Sequence, residues 1–258
     1  MGVTPSIMKA MILAAGLGTR LRPLTNTLPK PLLPVGGTPL IVWNLLLLRA
    51  YGIRQVIINL HYLGHLIQKA LGDGTQWDME ITYSPESNIL GTGGGIKAAV
   101  SFFENEPFLV INGDTLIDLN LDQLIDFHRE RQGVATLVVR DDPEAERWGV
   151  VECDQDQRIL RINNQGVQKT SFDPPVIRRM FAGVHVLDPG LLCDEPEGVS
   201  FSIIDTYTKV LKHGSSLFGF VQAGYWSDVG TVERYEQAQR DSTDGKILLA
   251  SRKSRGYT

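Results

Sequence analysis

Two mainly apolar runs, Ala10 to Ala15 and, with Asn59 its one internal polar residue, Gln55 to Leu60, restrict the architecture more than any other feature of the chain. A strand with one wet face alternates apolar and polar residues, whereas an unbroken short run belongs to a strand buried on both faces, as in a parallel sheet. Between the runs, Thr38 is placed to cap a helix from about Pro39 to Tyr51, with Pro39 in its first turn and Gly52 past its end. Leu63 to Leu71 repeats apolar residues at helical spacing and stops at Gly72-Asp73-Gly74. Met79 to Tyr83 reads as a strand, Gly94 to Phe103 as a helix, and Phe108 to Asn112 as a third buried strand. An amphipathic helix, Leu121 to Arg131, and a β-branched strand, Val134 to Arg140, continue the alternation. The pattern predicts an α/β fold of Rossmann-like, doubly wound type, with ligands at the carboxyl ends of the strands.

The second half is less regular. Trp148 to Cys153 and Arg158 to Asn163 alternate around Asp154-Gln155-Asp156-Gln157, which predicts a hairpin. Phe181 to Leu187 and Leu217 to Val221 read as strands, Phe201 to His213 and Val232 to Arg240 as helices. These elements make the expected central sheet mixed. One domain is expected over residues 1–240, followed by a polar tail at 241–258 that is poorly ordered. No hexapeptide array is present, so no C-terminal β-helix is expected.

The first apolar run leads into Gly16-Leu17-Gly18 and then a proline-punctuated loop that reaches Gly37 and carries Arg20, Arg22 and Lys30. A loop of that length inside a compact domain is usually functional, and four prolines argue against floppiness. Charge concentrates there too. The first 72 residues sum to +7, with no Asp or Glu, and the rest to −11, within a chain of net charge −4. Glycines admit a ligand to the backbone N–H groups, and adjacent cations suit a polyphosphate. Two familiar phosphate motifs fail: Leu21 stands where a dinucleotide fingerprint needs its third glycine, and no Gly-Lys-Ser/Thr follows for a P-loop.

Composition excludes several other classes. A mildly acidic chain without a lysine-rich tract is not built for nucleic acid, and its longest apolar stretches are too short to span a bilayer. Cys153 and Cys193 form no framework or CxxC, so a reducing cytoplasm is expected, and neither is placed as a nucleophile. His61 and His65 have the spacing of a metal pair but lack an intervening Glu and a third ligand, which favours an ordinary helix face.

The run Leu13-Ala14-Ala15-Gly16-Leu17-Gly18-Thr19-Arg20-Leu21-Arg22-Pro23 with Pro29-Lys30-Pro31 resembles the pyrophosphorylase motif of sugar-1-phosphate nucleotidyltransferases. The resemblance recurs at Leu90-Gly91-Thr92-Gly93-Gly94-Gly95, at Asn112-Gly113-Asp114 and at Trp226-Ser227-Asp228-Val229-Gly230-Thr231. Within that family, Asn59 to Gly64 and Tyr83 to Glu86 are most similar to N-acetylmuramate-1-phosphate uridylyltransferases, with mannose-1-phosphate guanylyltransferases close behind.

The resemblance implies the nucleotide-diphospho-sugar transferase fold and a reaction in which a sugar 1-phosphate displaces pyrophosphate from UTP or GTP. It implies roles for Arg20 on the departing pyrophosphate and Lys30 at the α-phosphoryl group. Ala14, Ala15, Gly16, Gly18 and Thr19 would surround the nucleotide, with Tyr83, Glu86, Gly91 and Thr92 near the base. Asn112, Gly149 and Gly183 would face the sugar, while Asp114 and Asp228 would hold Mg²⁺, Asp114 counting also as catalytic. Trp226 reads as packing that positions Asp228.

Two departures bear on the acceptor. Arg161-Ile162-Asn163-Asn164-Gln165-Gly166 stands where many relatives carry Glu-Lys-Pro, with Lys169 the nearest lysine, and Phe181-Ala182-Gly183 lacks a frequent Asn. A phosphocholine-type cytidylyltransferase and a non-catalytic nucleotide-sugar sensor therefore stand as alternatives. The oligomeric state is not readable from the sequence.

Overall fold

A computed structural model of the chain describes residues 8–168 and 171–247. Strand β1 (Ala10–Leu13) leads to the long loop, which contains a small hairpin of β2 (Pro34–Val35) and β3 (Thr38–Pro39). Helix α1 (Leu40–Ala50), β4 (Gln55–Leu60), α2 (Gly64–Leu71), β5 (Glu80–Pro85), α3 (Gly91–Ala99) and β6 (Phe108–Asn112) complete the parallel part. Then come β7 (Thr115–Ile117), α4 (Leu121–Arg131) and β8 (Ala135–Arg140). The irregular half comprises α5 (Ala145–Trp148), β9 (Val150–Cys153), β10 (Ile159–Ile162), β11 (Gln165–Gly166) and β12 (Ile177–Leu187). Helix α6 (Ile203–Lys212), β13 (Leu217–Val221), β14 (Trp226–Asp228) and α7 (Val232–Thr243) close the chain.

The main sheet has the order β11-β10-β9-β12-β6-β1-β4-β5, with β8 joining β12 to β13. Strands β5, β4, β1 and β6 are parallel, and β12 lies antiparallel against β6, so the sheet is mixed and flanked by helices, as expected. Side chains alternate across it with period two. Ala10, Ile12, Ile58 and Ile111 join α1, α2 and α4 in one core, and Met11, Ile57 and Val110 join α3 and α6 in another. Among the described residues no helix is long and apolar enough to cross a membrane.

A third, smaller core is the one that positions the site. Leu21 and Leu33 of the long loop, Leu116 of β7, and Val229 and Ala238 beside β14 and in α7 are buried together. Burying a side chain of this size stabilises by about 1.5–3 kcal/mol, enough to pin a loop that has little regular structure. Thr25 Oγ1 also donates to the Gly18 carbonyl at 2.8 Å, and Tyr62 Oη to the Thr25 and Asn26 carbonyls at 3.2 Å.

Several boundaries differ from the sequence expectation for identifiable reasons. Thr38 does not cap α1, because it pairs with Val35 in the β2–β3 hairpin and Pro39 takes the cap position without a side-chain bond. The Gly91-to-Gly95 stretch is the first turn of α3 rather than a turn before it. Helix α7 continues across the 240/241 boundary to Thr243, and Asp241 is buried, accepting from Tyr225 Oη at 3.1 Å and Lys246 Nζ at 3.0 Å. Lys169 and the tail from 248 onward lie outside the described residues.

Candidate active site

At the carboxyl edge of the parallel strands, Ala14, Ala15, Gly16, Lys30, Gly91, Thr92, Asn112 and Asp114 line one cavity of about 230 Å³, together with Asn59 and Ile89. Its floor is backbone held by a buried polar chain. The Ala14 N–H donates to Asn59 Oδ1 at 2.7 Å, and Asn59 Nδ2 donates to Glu86 Oε1 at 2.7 Å. Glu86 Oε2 then accepts from the Leu90 N–H at 2.9 Å, just before α3. Gly95 leaves room for this chain, since a Cβ there would stand 2.8 Å from both Asn59 Nδ2 and Glu86 Oε1. Asn112 ends its buried apolar strand and Asn59 is the last residue but one of β4, and a polar residue so near the end of such a run is the signal that could have drawn attention to Asn59.

Glu86 and Tyr83, expected near the base, do not themselves line the cavity. Glu86 is buried and spends both oxygens inside the protein, so it positions the Ala14 backbone through Asn59. Tyr83 shares a face of β5 with Ile81, packs against the first core and donates its hydroxyl to the Gly72 carbonyl at 2.7 Å, beyond the end of α2 that points away from the cavity. Thr92 does line the cavity, but its Oγ1 accepts from the Ile203 N–H at 2.9 Å and so caps α6. The glycines of α3 serve the same junction: a Cβ at Gly91 would stand 2.6 Å from the Phe201 carbonyl oxygen, and one at Gly94 2.3 Å from that of Val199.

Asp114 and Asp228, 114 positions apart, are brought together by the β7–β14 ribbon. Asp228 pairs with Thr115, and the Val229 N–H donates to the Asp114 carbonyl at 3.0 Å. Lys30, on the short turn Lys30–Leu32, forms an ion pair and hydrogen bond with Asp114 Oδ2. Burial, and then the Asp114 charge, hold the Asp228 carboxyl above its ordinary range, while Lys30, Arg234 and Arg20 pull it back. Asp228 Oδ1 is buried with no hydrogen-bond donor, and Arg234 Nη1, also buried and unbonded, stands 3.6 Å away.

This donor set suits a hard divalent cation: oxygen ligands only, two carboxylates, and a buried carboxylate oxygen that no donor satisfies. Among the described residues no group of three or more His, Cys, Asp or Glu side chains gathers, so an ion here would take its other ligands from substrate oxygens and water. His61 is occupied differently, its Nδ1 lying 2.9 Å from the Glu86 carbonyl oxygen. Burial pushes the Cys153 thiol up to about 11, which leaves no thiolate for catalysis.

Arg20, Gly18 and Thr19 are not among the residues of the cavity wall. Gly18 adopts φ +65 at the start of the turn Thr19–Leu21, and a Cβ there would crowd Thr25 and Lys30 at 3.1–3.3 Å. Arg20 reaches the Asp228 side: a Cβ at Gly230 would stand 3.2 Å from Arg20 Nη2 and 2.4 Å from Asp228 Oδ1.

On the far side, Gly183 (φ +77) sits in a register shift of β12, where a Cβ would meet Asn112 Nδ2 at 2.8 Å and Thr115 Oγ1 at 2.9 Å. Gly149 (φ +97) faces Asn163 in the same way, its Cβ position 2.9 Å from Asn163 Oδ1. Trp226 Nε1 donates to the Ala182 carbonyl at 3.0 Å, and the Trp226 ring meets Trp148 edge-on at 5.1 Å. The Arg234 guanidinium lies over Trp148 at 3.9 Å. Arg234 and Trp148 were not singled out in the sequence; they are 86 positions apart, and no local pattern links them.

Comparison with known proteins bears on this arrangement. The profile of a family described as nucleotidyl transferase matches residues 9–245. A UTP–glucose-1-phosphate uridylyltransferase of Synechocystis sp. is 33% identical over 90% of this chain and 63% of its own length. A mannose-1-phosphate guanylyltransferase of Mycobacterium tuberculosis is 36% identical over 92% and 65%. An N-acetylmuramate alpha-1-phosphate uridylyltransferase of Neisseria meningitidis is 38% identical over 90% and 97%. The chain thus spans under two thirds of the first two relatives and nearly all of the third. Among solved structures, HddC from Yersinia pseudotuberculosis with GMP-PN superposes with a TM-score of 0.74 at 26% identity, covering 91% of this chain and 99% of that one.

Proposed function

We propose, from the premise that the chain belongs to the nucleotidyl transferase family, that it transfers a nucleotidyl group from a nucleoside triphosphate to a sugar 1-phosphate. The products are a nucleoside diphosphate sugar and pyrophosphate. The observation that carries this reading is the β7–β14 ribbon, which sets Asp228 beside Asp114, a residue lining the cavity floored by the Ala14-to-Gly16 backbone. UTP and GTP are the favoured donors, since the relatives are named for uridylyl and guanylyl transfer, and glucose, mannose and N-acetylmuramate 1-phosphates are the acceptors those names offer.

In the reaction, an oxygen of the acceptor's phosphate forms a bond to the α-phosphorus while the bond from that phosphorus to the bridging oxygen of pyrophosphate breaks. The attacking oxygen is already ionised near neutral pH, so no side chain needs to remove a proton. What remains is to gather anions and to stabilise charge that shifts toward the leaving group. Lys30, at the cavity wall, neutralises the α-phosphoryl group; Arg20, on the turn Thr19–Leu21, takes the departing pyrophosphate. The Ala15 and Gly16 backbone lies against the nucleotide, and Asn112 with Gly183 and Gly149 orients the sugar. Asp114 and Asp228 would hold Mg²⁺, which when bound screens the phosphates and polarises the reacting phosphoryl group. The cytoplasm, where nucleoside triphosphates are plentiful, is the proposed site of the reaction.

A pyrophosphate-release screen of four triphosphates against a panel of sugar 1-phosphates and phosphocholine tests the proposal. Turnover with a sugar 1-phosphate and UTP or GTP is expected. Turnover confined to CTP with phosphocholine, or tight ligand binding with no turnover in any combination, would overturn it.

A further inference from the structure

The carboxylate pair already has company. Lys30 is paired with Asp114, Arg234 stands against Asp228, and Arg20 Nη2 lies with Asp228 Oδ1 beside Gly230. Three cations face two anions, so the ligand-free site carries a net positive charge.

Arg234 is held in a particular way. At 3.6 Å its Nη1 is too far from Asp228 Oδ1 for a hydrogen bond, although both atoms are buried and neither has another partner. Its guanidinium is fixed by the Trp148 ring at 3.9 Å, and Trp148 is braced by Trp226, two residues before Asp228 on the same strand. Arg234 also begins near the cap of α7, where its N–H donates to Thr231 Oγ1 at 3.4 Å. The residue therefore delivers charge to Asp228 without being its hydrogen-bonding mate, and with Gly230 it closes Oδ1 from solvent.

We infer that Arg234 is a resident counter-cation that keeps the affinity of the carboxylate pair for a free divalent ion low, so that the ion enters together with the triphosphate. This rests on the reading of Asp114 and Asp228 as metal ligands. A divalent ion alone would raise an already positive site further, and at a separation of several ångströms that repulsion weakens binding severalfold even in a water-like dielectric. A triphosphate brings about four negative charges and reverses the balance. Arg234 is thus a positioning residue for metal entry rather than a catalytic one.

The test is a titration of the metal-free protein with Mn²⁺, reading free Mn²⁺ by electron paramagnetic resonance, with and without a non-hydrolysable triphosphate. Without the triphosphate, Arg234→Gln is expected to bind Mn²⁺ about three- to tenfold more tightly than the wild type. Arg234→Lys, which keeps the charge, is expected to stay near the wild type. With the analogue present the three proteins should converge. A merely structural role predicts the opposite sign, because loosening Asp228 weakens binding; Arg234→Gln binding Mn²⁺ no more tightly than the wild type overturns the inference. Arg234→Met provides the same comparison if the glutamine variant does not fold. Asp228→Asn separates the two layers. If it binds Mn²⁺ as the wild type does, the metal-ligand reading falls; if it loses binding while Arg234→Gln shows no gain, only the Arg234 inference falls.

Discussion

On the side of the cleft assigned to the triphosphate, the wall is main chain: Ala14 to Gly16, pinned from below by Asn59 and Glu86. On the side proposed for the acceptor, beside Gly149 and Gly183, the groups are side chains: Trp148 meets Trp226 edge-on, with Arg234 over Trp148 and the Arg140 guanidinium 5.4 Å from the Trp226 ring. A backbone wall presents the same N–H groups whatever the neighbouring side chains are, which suits the part of the substrate that all nucleoside triphosphates share. A side-chain wall can be exchanged residue by residue, which suits the partner that differs among relatives named for glucose, mannose and N-acetylmuramate 1-phosphates. The β7–β14 ribbon lies between the two and should serve both.

The sharpest way to break this division is at the ribbon. Asp114→Asn and Asp228→Asn should each cut turnover on the order of 10³-fold, measured as pyrophosphate release at saturating levels of both substrates. Neither substitution changes side-chain volume appreciably, so circular dichroism should stay native. A variant that kept wild-type turnover would remove its carboxylate from the chemistry.

Next in size is the backbone side. Asn59→Ala leaves the Ala14 N–H and Glu86 Oε1 buried without their partner, which costs about 2–3 kcal/mol of stability, read from urea unfolding. The floor it releases is the one proposed for the triphosphate, so KM for the triphosphate should rise while KM for the acceptor holds. Equal rises in both would mean that the two walls are not separate units.

The side-chain wall should answer with a smaller and opposite pattern. Trp148→Leu removes the ring on which Arg234 rests and the edge contact with Trp226, interactions worth about 1 kcal/mol each at partly exposed sites. KM for the acceptor should rise roughly tenfold with KM for the triphosphate unchanged. If the triphosphate parameter moved instead, Trp148 would belong to the other wall.

The same contrast governs what the sequence made legible. The backbone wall is encoded by neighbours in the chain: an apolar run, two glycines, then cations on a proline-bound loop, each with a local physical meaning. Its strands follow from short apolar runs, whose residues alternate between two cores and so need no polar face. The side-chain wall depends on partners that meet only after folding, as Trp148 does with Arg234, or Asp241 with Tyr225 across the expected domain boundary. Tyr83 shows the converse: expected near the base, it packs its ring against the first core from β5 and spends its hydroxyl on the Gly72 carbonyl. The glycines of α3 divide: Gly91 lines the cavity, whereas at Gly93 and Gly94 Phe201 and Val199 fill the space that a Cβ would need.

The smallest predicted effect concerns the ribbon without metal. Burial first, and the Asp114 charge second, raise the Asp228 carboxyl above its unfolded value, so the folded state favours the protonated form. The stability this group contributes is complete below the unfolded value, near 3.8, and is lost as pH rises through the folded value. In chelator, the wild type should therefore lose stability relative to Asp228→Asn as pH is raised from acid toward neutrality, because the amide has no charge to bury. Mg²⁺ should narrow that gap by favouring the ionised form, and should do so more strongly with the triphosphate present than alone. Thermal melts of the two proteins across pH 4–7, as a difference at each pH, isolate the group from the other carboxylates. A difference that stayed flat in chelator would show that Asp228 titrates as an ordinary surface carboxylate, and the case for a strained pair joining the two walls would go with it.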